Sequence, residues 1–371
     1  MVVTPILQFG TSRFLQAHAD LFVSEARENG QKAGPITVVQ SSDDPARRAR
    51  LEALEKGFPV RIEGISDRES VQETVQVTSV KRALSTAIDW SEVTRVFVDE
   101  TEIVLSNTGD TGFEPSEADT GRQFDQSMSY PAKLKLLLQS RFAASKCGIQ
   151  IMPMELIIDN GHVLRDRVLE LAQNDSDAFR TYLQRDVVWV NSLVDRIVSQ
   201  PLRPAGAVAE PYALWAIEDQ PGLKLPCSHP SVQVVPSLAQ IEALKLFVLN
   251  LGHTVLADHW LQSRGCKGTK VREMMAEPKT RHHLEQVYQL EVRPAFSAAG
   301  IAQEFDDYVQ TTFERFENPF LDHRIADIAQ NHNQKIERRI KAMLDFAIEH
   351  NDRSPKPVLT GIVGRQTRDA S

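Results

Sequence analysis

Hydrophobic and polar positions along the first 160 residues alternate between two periods. ILQFG (6–10) and ITVVQS (36–41) are short, apolar and β-branched, and read as strands. Each is followed by a longer stretch with helical spacing, RFLQAHADLFVSEAREN (13–29) and DPARRARLEALEKG (44–57). That is a βαβ opening. RVFVDE (95–100), TEIVLSN (101–107) and IQIMPMELI (149–157) read as further strands, with PAKLKLLLQSRFAA (131–144) as a helix between the last two. Strands and helices in this alternation predict a mostly parallel sheet with helices on both faces.

The helical period takes over after Gly161, in HVLRDRVLELAQ and DAFRTYLQRD. Residues 187–219 then read as short strands joined by a Pro-rich loop, and almost everything after Pro236 is helical. The predicted architecture is a doubly wound α/β domain of the Rossmann type over 1–206, followed by a mainly α-helical domain over 207–371. The boundary is open between Arg203 and Pro236, and the closing GIVGRQTRDAS reads as a loose tail.

Composition changes this picture little. A chain of 371 residues exceeds one core of usual size, in line with two domains. A net charge of −8 without a basic stripe argues against nucleic acid as a partner. MVVTPILQFG lacks a charged start and a long apolar core, and no run has the length of a membrane span. The expectation is a cytoplasmic protein, a monomer or small homo-oligomer, that handles small molecules. Cys147, Cys227 and Cys266 form no close pair and predict neither a disulfide framework nor a cysteine metal site.

A strand that enters a glycine turn and then a helix places backbone N–H groups where a pyrophosphate binds. In FGTSRFLQAH only Gly10 remains of the G-x-G-x-x-G pattern, with Ser12 and Leu15 in the other two places. A tight turn without a ligand explains it equally well. The second strand ends in Gln40, Ser41 and Ser42, and acids arrive only at Asp43 and Asp44, with Arg47 and Arg48 close behind. NAD and NADP therefore both stay open. LSNTGDTGF places Asn107 and Thr108 directly after a strand, at the end of the sheet where ligands bind, with a plain Asn/Gly turn as the equal alternative.

The stretch IEALKLFVLNLGHTVLADHW (241–260) carries Lys245, Asn250 and His253 in an otherwise apolar helix. With Lys245 at zero, Glu242 falls at roughly 60°, Asn250 at roughly 140° and His253 at roughly 80°. Leu244, Phe247, Val248, Leu251 and Val255 cluster on the other side. A lysine short of water is a candidate base for a hydroxyl proton, an asparagine can donate to an oxygen that gains charge, and a histidine can orient either. A solvated Glu–Lys pair beside a satisfied core histidine is the competing reading. No histidine has convincing metal-ligand partners, so no metal is expected.

These residues resemble the long-chain mannitol dehydrogenase family, which includes tagaturonate and fructuronate (mannonate) reductases and mannitol-1-phosphate dehydrogenase. KLFVLNLGH is similar to its K-x4-N-x2-H signature, and five further stretches follow in the family's order: ILQFGTSRFLQAH, LSNTGDTGF, MELIIDNG, VNSLVDRIV and EPYALWAIED. The resemblance implies a zinc-independent NAD(P) oxidoreductase that interconverts a secondary alcohol and a ketone on a polyol, an aldonate or a keto-sugar acid. It implies Lys245 as general base, Asn250 and Asn191 around the reacting oxygen, His253 as an orienting residue and Glu242 on a proton path. Gly10 and Phe14, with Asn107 and Thr108, match its cofactor-binding positions, and Ser12, Arg13 and Ser41 complete the candidate cofactor set. Lys335, Arg338 and Arg339 lie near its basic substrate-binding residues, with a bland helix face as the alternative. Departures occur at Ser12, at Gln16 in place of an arginine, and at Asp110 and Thr111. A nucleotide-binding sensor that kept the fold and lost turnover is the rival from another class; a structural module has little in its favour.

Overall fold

The computed structural model describes residues 2–44, 48–66, 68–109, 112–263, 269–321 and 323–369. Arg47, Asp110, Thr111 and Cys266 lie outside the described residues, as does the Arg48 side chain. The chain forms two compact units, Met1–Glu63 with Gln72–Leu238, and Gly64–Val71 with Ala239–Ser371.

Thirteen strands occur among the described residues of the first unit and the Gly64–Val71 tip: β1 Ile6–Phe9, β2 Ile36–Gln40, β3 Phe58–Ser66, β4 Glu69–Val77, β5 Val80–Ser85, β6 Ile103–Ser106, β7 Gln150–Pro153, β8 Val188–Trp189, β9 Ser192–Asp195, β10 Val198–Pro201, β11 Ala207–Ala209, β12 Leu214–Glu218 and β13 Val232–Val235. Six form one parallel sheet in the order β5-β2-β1-β6-β7-β8. Every residue of β1, β2, β6 and β7 is buried, because helices cover both faces and leave no side to water. From β1 the chain winds outward to β2 and β5, then returns to β6 and winds the other way. The crevice beyond the carboxyl ends of β1 and β6 is therefore the topological switch point, where open α/β sheets bind ligands.

Two smaller sheets, β10-β11-β3-β4 and β13-β12-β9, complete the strand inventory. β12 pairs antiparallel with β9 and parallel with β13, so the run to Val235 is tied to strands that precede 206. The units accordingly divide after Leu238, beyond the boundary expected at 206.

Three elements differ from the pattern reading. RVFVDE is the end of the helix Thr86–Asp99, not a strand: Val93, Val96 and Phe97 are buried at helical spacing, and the short β-branched run was too brief to reveal it. The helix expected over 13–29 is two, Arg13–Gln16 and Ala19–Glu28. At the break, Arg196 Nη1 donates to the Ala17 carbonyl at 2.7 Å and His18 Nε2 meets the Leu214 carbonyl at 3.0 Å. The supposed loose tail lies largely in the helix Pro357–Asp369, whose start is capped by Glu291: its carboxylate accepts from Val358 N and Leu359 N, both at 2.9 Å.

The second unit is helical around a core that includes Phe247, Val248, Tyr288, Phe296, Phe305 and Ile340. Three of its helices contain a π turn, at Lys245–Asn250, Val287–Val292 and Ile336–Lys341. No helix among the described residues is long and apolar enough to cross a membrane.

Asp20, in the first turn of Ala19–Glu28, is completely buried, and burial pushes its carboxyl up to about 8 from the ordinary 3.8. The folded chain thus holds a proton that the unfolded chain releases. Stability from this group is complete below about 3.8 and is lost as pH rises through about 8. Relative to Asp20→Asn, the wild type should lose roughly 1.4 kcal/mol per pH unit between pH 5 and 7. Urea melts of both proteins across that range check this; parallel pH dependences would show that Asp20 is ionised in the fold.

Candidate active site

Gly10 follows β1 directly and Asn107 follows β6, so the switch point brings the two predicted turns side by side. Gly10 N donates to Val39 O at 3.0 Å and Asn107 N to Phe9 O at 2.9 Å, which extends the strand ladder into both turns. Gly10 sits at φ +125, and a Cβ there would lie 2.7 Å from the Asn107 carbonyl oxygen. Only glycine fits both the dihedral and the gap. Ser12 caps the short helix Arg13–Gln16 by accepting from Leu15 N.

The loop after β6 is fixed from below by Glu155. This buried carboxyl accepts from Ser106 Oγ (3.0 Å), Thr108 N (2.9 Å) and Thr108 Oγ1 (3.0 Å). Burial raises its pKa, and the three donors oppose that shift. Asn107 Nδ2 donates to Met154 O at 2.8 Å, so both residues answer to the strand end of MELIIDNG. The motif was visible in the sequence, but its role as a clamp on a loop 47 residues earlier was not.

Together these turns wall a cavity of about 630 Å³. Of the predicted cofactor residues, Gly10, Ser12, Ser41, Asn107 and Thr108 line it. Arg13 instead lines a second cavity of about 800 Å³ that shares Arg50 with the first, and Phe14 stacks on His18 at 4.9 Å. Gln16, which stands where the family has arginine, is buried and structural: it donates to Thr11 O at 3.0 Å and accepts from Gly206 N at 2.6 Å. Sequence reasoning missed Lys133. It lies on the buried side of Tyr130–Ala143, lines the cavity and donates to Gln126 O at 2.8 Å, and burial lowers its pKa. A cation on the apolar face of that helix was the available signal. A glycine whose Cβ space is filled, hydroxyls and a lysine along the cavity suit an anionic dinucleotide, so the residues fit the cofactor.

In the second unit, Glu242, Lys245, Asn250 and His253 lie on one helix whose middle turn is of the π type. On an ideal α-helix Asn250 would stand roughly 140° from Lys245. A π turn bonds i to i+5, so the fifth residue takes the place the fourth has in an α-helix, stacked one turn above. The K-x4-N spacing thus matches the turn that carries it. His253 follows Asn250 by three in the resumed α-helix and shares its face. Lys245 and Asn250 are half-buried; His253 is buried against Phe316 (4.5 Å) and meets His323 edge-on at 5.1 Å. Burial, with Arg315 nearby, lowers the His323 pKa and favours its neutral form.

Beside the Leu251 N–H, which reaches Leu246 O and Val248 O, side chains donate to carbonyls in and at the end of the π turn. Tyr288 Oη donates to Val248 O at 2.8 Å, while Arg339 Nη1 donates to Asn250 O and to Thr254 Oγ1, both at 3.2 Å. Gly252 opens the space: a Cβ there would lie 2.0 Å from the Tyr288 hydroxyl. Arg339 is thus a brace for the Asn250 backbone. Lys335 donates to Ile328 O at 2.6 Å, and Arg338 is exposed.

Asn191 belongs to the first unit, just before β9, and is 2% exposed. Its Nδ2 donates to Glu218 Oε2 at 2.8 Å and meets His162 Nδ1 at 3.2 Å, while its Oδ1 accepts from His162 N at 3.1 Å. Glu218 and His162 therefore set its orientation, and neither was singled out from the sequence. Among the described residues no group of three metal-ligating side chains gathers.

Comparison with known proteins gives the following. A family model for the mannitol dehydrogenase Rossmann domain matches residues 4–226, and one for the mannitol dehydrogenase C-terminal domain matches 237–365. The chain is 28% identical to altronate oxidoreductase of Halalkalibacterium halodurans, over 95% of this chain and 73% of that protein. It is 27% identical to altronate oxidoreductase of Bacillus subtilis, over 95% and 76%. In fold it is similar to D-sorbitol dehydrogenase in substrate-free form, with a TM-score of 0.83 at 18% identity over 99% of this chain and 81% of that one. It is also similar to Pseudomonas fluorescens mannitol 2-dehydrogenase in a ternary complex with NAD and D-mannitol, with a TM-score of 0.74 at 17% identity over 98% and 78%.

Gly10→Ala places a methyl against the Asn107 carbonyl in a left-handed backbone. The expected result is a loss of about 1–3 kcal/mol of stability and of reduced-dinucleotide binding, since the turn that lines the cavity must move. Thermal melting and the fluorescence of bound NADH or NADPH measure both; wild-type affinity in the alanine variant would place the dinucleotide elsewhere.

Proposed function

The chain belongs to the mannitol dehydrogenase family, and we propose from that premise that Lys245 is the acid/base of its reaction. It is an oxidoreductase of sugar alcohols or aldonates that works with a nicotinamide dinucleotide. The observation that carries the assignment is the polar face of the helix at 242–253, where the π turn sets Asn250 one turn above Lys245.

In the oxidising direction Lys245 takes the proton of the substrate hydroxyl. Asn250 donates to the same oxygen as charge develops on it, His253 orients the substrate, and Glu242 passes the proton onward. Asn191 is assigned to that oxygen as well, and for this one of its N–H groups must leave the His162 ring. In the reducing direction the Lys245 ammonium returns the proton to the alkoxide. When bound, the nicotinamide accepts or delivers the hydride. Gly10, Ser12, Asn107 and Thr108 would hold the dinucleotide, with Lys133 supplying positive charge beside it.

We assign an aldonate as the preferred substrate class, supported by the two relatives named altronate oxidoreductase. A reducing compartment such as the cytoplasm suits the free thiols of Cys147 and Cys227. The sensor alternative gains no support from relatives that are themselves named for oxidation.

A panel of altronate, mannonate, mannitol, mannitol 1-phosphate and arabinitol, each with NAD and NADP, should show one acid turned over fastest by absorbance of the reduced nicotinamide. Lys245→Ala should lower kcat on that compound by about two to four orders of magnitude. Turnover within a few-fold of wild type would remove Lys245 from the chemistry.

A further inference from the structure

The K-x4-N spacing needs a helix that departs from its own ladder, and a departure of this kind relaxes to a regular helix unless something holds it. Two groups do so here, and neither is on the helix that carries Lys245. The Tyr288 ring is fully buried, and its hydroxyl reaches Val248 O, a carbonyl inside the π turn, at 2.8 Å. That hydroxyl occupies the place where any residue larger than glycine at 252 would put its Cβ. Gly252 lies between Asn250 and His253, so the hole that admits the hydroxyl sits within the signature itself. Arg339 secures the other end through Asn250 O. Tyr288 and Arg339 themselves stand on the other two π turns, Val287–Val292 and Ile336–Lys341. Three irregular turns thus converge on the residues assigned to the reacting oxygen.

We propose that Tyr288 is a positioning residue for the reaction: its hydroxyl, seated in the gap at Gly252, holds the Val248 carbonyl and so keeps the wide turn that stacks Asn250 above Lys245. This rests on the assignment of Lys245 and Asn250 to the chemistry. Tyr288 does not exchange protons with substrate. Burial raises its pKa well above the usual phenol value, so it remains a neutral donor across the working range of pH.

Packing and positioning are separable, because the hydroxyl and the Gly252 gap are complementary. Tyr288→Phe keeps the ring and removes the donor, leaving the Val248 carbonyl to the Leu251 N–H alone. Gly252→Ala keeps the donor and forces it out of its seat. In the double variant the new methyl enters the space that the missing hydroxyl vacates, with contacts of 3.1 Å to Tyr288 Cζ and 3.2 Å to Phe316 Cε2 for the structure to absorb. The double variant should therefore melt above Gly252→Ala alone.

The experiment measures kcat, KM and melting temperature of the three full-length variants with the best substrate of the panel, and amide hydrogen exchange of the 246–254 segment. Tyr288→Phe is expected to lower kcat about tenfold or more with KM changed far less, since a small misplacement of acting groups has such an effect. The double variant is expected to regain melting temperature and not kcat, and both Phe-containing variants to exchange faster at 246–254. Wild-type kcat in Tyr288→Phe, or kcat that recovers together with melting temperature in the double variant, would make the hydroxyl a packing group and overturn the proposal. Unchanged exchange in Tyr288→Phe would overturn it even if no compound of the panel were turned over. If instead Lys245→Ala retained full turnover, the assignment beneath would fail first, and the two failures are told apart by that variant.

Discussion

One hydrogen bond, from the Tyr288 hydroxyl to the Val248 carbonyl, ties the π turn between Lys245 and Asn250 to another helix of the unit. A regular α-helix would satisfy Val248 O internally and carry Asn250 away from Lys245. In the π turn the Leu251 N–H reaches Leu246 O and Val248 O, and the buried Val248 carbonyl has a second lone pair to satisfy. The tyrosine supplies that second donor from another helix. Its ring is in turn fixed within the aromatic cluster of Phe305 and Phe313, so core packing and chemistry meet in one side chain. Gly252 is the condition for this arrangement, because the hydroxyl lies where a Cβ would be.

The dinucleotide end follows a similar logic by other means. There, Gly10 lets two backbone turns approach at the switch point, and Glu155 fixes the second turn through three donors. In both units a glycine creates a close approach and a buried polar side chain from a distant element stabilises it. Irregular backbone at functional positions persists when the surroundings over-determine it.

What was legible in the sequence was local. ILQFG and ITVVQS stood out because buried parallel strands are continuous apolar runs, and Gly10 because it closes the first of them. The polar face at 242–253 was legible from spacing, although the ideal wheel put Asn250 some way round from Lys245. The remainder depended on contacts between distant residues. The helix at the C-terminal end starts where Glu291, more than 60 residues earlier, receives its first N–H groups. The helix break at Ala17 is held by Arg196, and β12 belongs with β9 through pairing. None of these partners lies within a window that a periodicity argument spans. RVFVDE was misread for a different reason, since six β-branched, aromatic and charged residues fit a strand as well as the last turns of Thr86–Asp99.

The π turn also divides the demands made on Leu246, Phe247, Val248 and Leu249. Their side chains fill apolar surroundings, and cores accept exchanges among apolar residues of similar volume. Their number is another matter: five residues between Lys245 and Asn250 would turn Asn250 past the lysine, while three in a continuous α-helix would stack the pair again but without the wide turn. Mutational tolerance along this segment is thus asymmetric, permissive toward substitution and closed to a single-codon insertion. The length of the segment, more than its spelling, is the heritable part of the site.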